Sequence, residues 1–227
     1  MMWIRRTAVI WSLAAISTAG AAAQEPAANR FEKNVAAYEA ADKVSPPPAI
    51  AIMLVGDSQF YRWKTLAEDL PGYTIVNRGI DSLTMTDVAF FANRLVLPYK
   101  PRMIVVHAGG NDVNTGRSPQ QVLGDFQALV RAVRASMPAV PIVFSSVTPG
   151  PGRWNQAAVR TETNRLIESY TASQPNLAFL DLWTPMLTAD GQPREDLWVE
   201  DRIHPNHTGY QLRAKLMLPI LGPPDKR

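Results

Sequence analysis

The sequence predicts an α/β fold built on a mostly parallel, five-stranded sheet with helices on both faces. Five short apolar segments carry a strand signature: Ile50 to Val55, Thr74 to Asn77, Met103 to His107, Ile142 to Ser145 and Ala178 to Leu182. Segments with helical spacing alternate with them, which is the rhythm of strand, crossover helix and next parallel strand. Glycine-bearing polar turns follow the first three strands. In open parallel sheets ligands gather at the carboxyl ends of strands.

The elements follow in order along the 227 residues. Arg5-Arg6, an apolar stretch from Thr7 to Ser17 and Ala21-Ala22-Ala23 have the charge, core and small-residue order of a secretory signal. Residues 1–23 are therefore expected to be a signal peptide cut after Ala23, which implies an exported, periplasmic or secreted protein with no stable membrane span after cleavage. Residues 24–48 form a lead-in and a short helix, on which Phe31, Val35 and Tyr38 recur at helical spacing. The triple proline Pro46-Pro47-Pro48 ends that helix, because a residue before proline is pushed out of the helical region. The main domain runs over residues 49–220, and 221–227 is a tail.

Within the domain, Ser118 as N-cap, Pro119 at the first helical position and Gln121 three residues on make a capping box. The buried stripe expected of that helix is Val122, Phe126, Leu129, Val130 and Val133. A second helix is expected from Asn155 to Ser173 with Val159, Leu166, Ile167 and Tyr170 inward, and a last one from Asn206 to about Leu218.

Composition narrows the chemistry. With 46% hydrophobic residues the chain can bury one good core. Removing residues 1–23 takes away Arg5 and Arg6, and the 23 basic and 20 acidic residues become 21 and 20. The remaining Lys and Arg are scattered, so no nucleic acid partner is expected. No cysteine is present, which excludes thiol catalysis, disulfides and cysteine-ligated zinc.

Gly56-Asp57-Ser58 places a serine hydroxyl directly after the first strand, where it can be lifted clear of the backbone as a nucleophile. Of the three histidines, His204 is the best placed general base. It lies three residues after Asp201, so the carboxylate can fold back onto one imidazole nitrogen and leave the other to take a proton from a serine. Asp201, His204 and His207 also have ligand-like spacing, which keeps a metal-dependent reading open. Gly109-Gly110-Asn111-Asp112 follows the third strand, and the Asn111 amide there can meet a developing negative charge. Gly79, after the second strand, offers a backbone amide for the same purpose; alone, both turns are ordinary turn chemistry.

Serine, glycine, asparagine and histidine in this order resemble the SGNH hydrolases, also called GDSL esterases and lipases. More narrowly, Trp63-Lys64-Thr65-Leu66, the Leu97-Pro98-Tyr99-Lys100-Pro101 turn and Val199-Glu200-Asp201 look like exported bacterial members of this family and, more distantly, like the platelet-activating-factor acetylhydrolase catalytic subunits. The resemblance spans Ala49 to Leu218. It implies a three-layer α/β/α sandwich, flavodoxin-like in order, and a serine hydrolase acting on ester bonds without metal or other cofactor. It further implies Ser58, Asp201 and His204 as catalytic residues, and the amides of Ser58 and Gly79 with the Asn111 side chain as oxyanion hole. One departure stands out: Ile80-Asp81-Ser82 replaces further glycines after Gly79, which is expected to bring Asp81 near the site and bias it against anionic substrates. The expected partner is a small ester with a short acyl or acetyl group, with an acetylated carbohydrate or a lysophospholipid as candidates. Trp63, Trp154, Trp183 and Trp198 offer a sugar-stacking face, although core packing is the commoner use of such residues. A noncatalytic exported binding module on the same fold is the alternative.

Overall fold

The computed structural model describes residues 30–225; the expected signal segment and its cut after Ala23 lie outside the described residues. The expected strands form as β1 (Ile52–Gly56), β2 (Ile75–Gly79), β3 (Met103–His107), β4 (Ile142–Ser145) and β5 (Leu177–Leu180). They pair in the order β2-β1-β3-β4-β5, and every pair is parallel, where a mostly parallel sheet was expected. The limits of β1, β2 and β5 differ from expectation, those of β1 and β2 for local reasons. Ile50 sits at φ 62°, outside the extended region, so β1 starts later. At the other end Gly56 and Gly79 pair in register, which carries both β1 and β2 to their glycines.

The helices are α1 (Glu32–Val44), α2 (Ser58–Tyr61), α3 (Leu66–Asp69), α4 (Met85–Phe90), α5 (Ala92–Leu95), α6 (Gly110–Asn114), α7 (Pro119–Ser136), α8 (Ala157–Ala172) and α9 (His207–Leu221). Strand alternation divides the core between two faces. Met53, Val55, Ile104, Val106, Ile142 and Phe144 point into one cluster with residues of α1, α4, α5, α7 and α8. Ile52, Leu54, Met103, Val105 and Val143 point the other way, against α2 and α9. This is the three-layer α/β/α arrangement.

The Ser118 capping box forms, with the Ser118 side chain accepting from the Gln121 amide, and all five stripe residues of α7 are buried. The helix after β4 differs from expectation. Val159 is 40% exposed, and the buried positions of α8 are Arg160, Thr163, Asn164, Ile167 and Thr171. A mostly polar face is buried there because α8 packs against the loop that leaves β4. The Asn164 side chain accepts from the Val147 amide at 2.9 Å and donates to the Val147 carbonyl at 3.0 Å. Helices α4 and α5 were absent from the sequence expectation, and α4 is opened by a Thr84/Asp87 capping box. The tail is tied down, since Asp225 accepts from the Thr74 amide at 2.6 Å and pairs with Arg102 at 3.1 Å.

Trp63 and Trp198 are core residues, 2% and 6% exposed. Trp63 stacks on Tyr210, while Trp154 and Trp183 stack on each other at 5.8 Å between ring centroids. Packing therefore accounts for the two buried rings, and the other two cover one another. Among the described residues no helix is long and apolar enough to cross a membrane.

Candidate active site

Strand order reverses between β1 and β3, and the crevice at such a point is where open α/β sheets bind ligands. A cleft of about 230 Å3 lies there, lined among others by Ser58, Asp81, Ser82, Asn111, Arg160 and His204. Gly56 makes the turn into it possible. A Cβ on Gly56 would stand 1.9 Å from the His107 carbonyl oxygen, so β1 and β3 converge only around a glycine. Asp57 then caps α2, its carboxylate accepting from the Gln59 amide at 2.9 Å, and its own amide donates to the His107 carbonyl at 3.0 Å. Ser58 is the first residue of that helix.

Ser58 Oγ lies 2.9 Å from His204 Nε2, across 146 residues of chain. His204 Nδ1 lies 2.6 Å from Asp201 Oδ2, and Asp201 Oδ1 accepts from the amides of Ile203 and His204 at 2.8 and 2.9 Å. Burial pushes the Asp201 carboxyl up, but the His204 ring and the two amides together outweigh it and hold the group at about 2. Asp201 is thus ionised and fixes the proton on Nδ1, leaving the Nε2 lone pair for the serine hydroxyl.

The loop carrying His204 is pinned to the serine turn by Gln59. Its Nε2 donates to the Ile203 carbonyl at 3.0 Å, and its Oε1 accepts from Arg213 at 2.7 Å. Arg213 is fully buried among Phe60, Trp63 and Tyr210. Neither residue stood out in the sequence; a glutamine three positions after a turn glycine and an arginine on a C-terminal helix face carry no local signal.

Asn111 comes to the cleft as expected. Its Nδ2 donates to the Leu83 carbonyl at 3.0 Å, which spends one of its two hydrogens and aims the group. Asp112 accepts from the Met85 amide at 2.9 Å, so the Ile80 to Thr84 loop is held against Asn111 from both sides. Gly79 does not come to the cleft, and this corrects the expectation. Its amide donates to Asn77 Oδ1 at 2.9 Å, and a Cβ there would stand 2.3 Å from the Tyr61 amide nitrogen. The glycine exists to let α2 pack onto β2. The neighbouring loop reaches the cleft instead, with Asp81 and Ser82 in its lining and Ser82 in the left-handed region at φ 65°. Among the described residues no acceptor takes the Ser82 amide.

Asp81 is near the site, but it is not a free charge: Arg62 pairs with it at 3.1 Å and reaches Asp201 at 3.9 Å. His207 opens α9, is exposed and does not line the cleft, and among the described residues no three acidic, histidine or cysteine side chains converge as metal ligands. Beneath Ser58, burial pushes the Asp57 carboxyl up to about 7 against the Gln59 amide. The facing His107 is held well below the usual imidazole range, first by burial and then by Arg213. Its Nδ1 donates to the Ser145 carbonyl, so the 3.9 Å approach of Nε2 to Asp57 is not an ion pair.

A serine, an imidazole and an ionised carboxylate in one hydrogen-bonded row, beside aimed amide donors, suit acyl transfer. Residues 47–212 match the model of the GDSL-like Lipase/Acylhydrolase family. The chain belongs to that family. That is a family of lipases and acylhydrolases. Among proteins similar in sequence is the platelet-activating factor acetylhydrolase IB subunit alpha2 of Gallus gallus, 26% identical over 148 residues. That match covers 62% of this chain and 62% of the chicken protein's length. Among solved structures, a GDSL-like lipase from Bacteroides thetaiotaomicron superposes with a TM-score of 0.70 at 19% identity, covering 81% of this chain and 95% of that one. A carbohydrate esterase family 3 protein from Talaromyces cellulolyticus superposes with a TM-score of 0.55 at 22% identity, covering 76% and 96%. At these identities the two structures speak for the fold alone.

Proposed function

We propose that this enzyme hydrolyses carboxylic esters through an acyl-serine intermediate on Ser58. The observation that carries the reading is the row Ser58 Oγ, His204, Asp201, at 2.9 and 2.6 Å, which brings the serine to a histidine 146 residues away. As Ser58 Oγ attacks the ester carbonyl carbon, His204 Nε2 takes its proton. The Nδ1 hydrogen stays shared with Asp201, whose charge stabilises the imidazolium. Collapse of the tetrahedral adduct breaks the bond to the alcohol oxygen, which takes the proton from Nε2. Water then repeats the sequence on the acyl-serine and releases the acid.

The oxyanion is met by the Ser58 amide, the free hydrogen of Asn111 Nδ2 and, in place of Gly79, the Ser82 amide. Supporting Ser82 are its uncommitted N–H and its place in the cleft lining. Loss of one such donor typically costs about 100- to 1000-fold in turnover.

The cleft's small volume favours short acyl groups, acetyl foremost. Acetylated carbohydrates and lysophospholipids are the proposed alcohol sides, in keeping with the carbohydrate esterase and acetylhydrolase names of two relatives. Export to the periplasm or medium is proposed from the sequence of residues 1–23.

A fluorophosphonate probe tests the nucleophile. It should label the wild type at Ser58 and leave Ser58→Ala unlabelled and inactive on para-nitrophenyl acetate, with thermal unfolding of the variant near that of wild type. Hydrolysis retained by a folded Ser58→Ala would remove Ser58 from the mechanism. Loss of wild-type activity in EDTA, restored by zinc, would favour a metal-dependent reading instead.

A further inference from the structure

The charges around the cleft do not cancel evenly. On the side of β1 and β2 they do: Arg62 neutralises Asp81 at 3.1 Å, and Asp201 faces His204. On the side beyond Asn111 stand two arginines that join no ion pair among the described residues; Asp57 attracts Arg160 but is itself shifted by burial towards its neutral form. Arg160 projects from α8 into the cleft and is 6% exposed. Its guanidinium donates to the Gln156 side-chain oxygen at 3.0 and 3.2 Å, the Thr148 carbonyl at 3.3 Å and the Gly110 carbonyl at 3.5 Å, all neutral groups. Arg153, half-buried in the 3-10 turn Pro151–Gln156, lines the same cleft. Among the described residues neither guanidinium joins an ion pair; Arg213 is likewise unpaired but lies sealed in the core on Gln59 and three aromatic rings, whereas Arg62, Arg78, Arg94, Arg102, Arg117, Arg165, Arg194 and Arg202 all pair with carboxylates.

A buried charge is normally kept only with a partner of opposite sign. Burial, and after it the like charge of Arg153, pull the Arg160 guanidinium down to about 10. The pair is therefore close enough to repel, and an anion between the two would relieve both the repulsion and the missing counter-charge. The planar guanidinium fork matches a carboxylate or phosphate with paired donors. The remaining acid on this floor, Asp57, is itself pushed towards its neutral form by burial.

We propose that the substrate is an ester carrying an anionic group, a carboxylate or phosphate, which Arg160 and Arg153 receive while the ester carbonyl lies at Ser58. This rests on the esterase reading and sets its substrate class. It also reverses the bias expected from Asp81, because Arg62 cancels that charge while, among the described residues, neither Arg153 nor Arg160 joins an ion pair.

Three esters test it: neutral para-nitrophenyl acetate, the mono-para-nitrophenyl ester of glutaric acid with its carboxylate on the acyl side, and para-acetoxybenzoate with its carboxylate on the alcohol side. Spontaneous hydrolysis is subtracted from each. For wild type, kcat/KM on at least one anionic ester should exceed that on the neutral ester by about 10-fold or more, the scale of a desolvated charge contact. Which anionic ester wins tells which half of the substrate faces Arg160. The anionic-to-neutral ratio should fall about 10-fold in Arg160→Gln and by a smaller factor in Arg153→Gln, while Arg160→Lys keeps part of it. Arg153 makes no side-chain hydrogen bond among the described residues, so its variant does not depend on repacking. Equal or slower turnover of both anionic esters, or a ratio that survives both glutamine variants, would overturn the anionic subsite and leave the esterase reading standing. No turnover of any ester by folded, probe-unlabelled protein would instead overturn the esterase reading.

Discussion

Helices α7 and α8 pack side by side on the same face of the sheet, yet they bury opposite kinds of surface. Helix α7 buries Val122, Phe126, Leu129, Val130 and Val133, and nothing polar. Helix α8 buries Arg160, Thr163 and Asn164 beside Ile167 and Thr171. The first face meets side chains of β3 and β4, the second meets the backbone of the loop leaving β4 and the cleft. Apolar burial holds the sheet together, and polar burial positions the strand-end loops on which the chemistry depends.

That contrast can be broken experimentally, starting where the effect is largest. Phe126→Ala empties a site where the ring meets Phe144 edge-on at 4.9 Å, and should cost about 3–5 kcal/mol in a denaturant titration. Activity per folded molecule should stay at the wild-type level, since Phe126 does not line the cleft. A smaller stability loss with a large drop in turnover would mean that α7 serves the site as α8 does.

The polar region should respond to pH where the apolar one does not. Asp57 is held at about 7 in the folded state against an ordinary 3.8, so the native protein keeps a proton that the unfolded chain releases. Its contribution is complete below pH 3.8 and is lost as pH rises to about 7, with a slope of at most about 1.4 kcal/mol per pH unit. Asp57→Asn keeps a cap acceptor for Gln59 and cannot titrate. Its stability relative to wild type should therefore climb through that window, and a difference that stays flat would show that Asp57 ionises normally in the fold.

Asn164→Ala probes the other half of the comparison. It removes both hydrogen bonds to Val147 and should cost about 1–3 kcal/mol, less than Phe126→Ala. Here turnover per folded molecule should also fall, because Val147 and Thr148 form one wall of the cleft. Unchanged turnover would make Asn164 a core residue only.

The sequence was most legible where one local rule decided the outcome. Strand β3 and β4 match their expected limits, and the Ser118 capping box and the α7 stripe appear as read, because propensity, capping and periodicity agree there. Ser58, Asn111, Asp201 and His204 meet at one crevice, each from a strand end or the turn before α9. Gly79 misled because a glycine after a strand has two uses, and only the packing of Tyr61 above it tells close approach from a free amide. Val159 misled because apolar spacing on α8 competes with polar side chains that find partners 12 to 50 residues away.

By itself the sequence determined the α/β alternation, the helix with its apolar face, and which serine, carboxylate and histidine stood at turns able to act together, because those depend on periodicity and neighbouring residues. Only the tertiary structure decided that Gln59 and Arg213 pin the histidine loop, that Ser82 rather than Gly79 borders the cleft, and that Arg153 and Arg160 face it with no ion pair among the described residues. Each of these turns on whether a polar group has a partner, and that partner lies on another element whose distance no local pattern encodes.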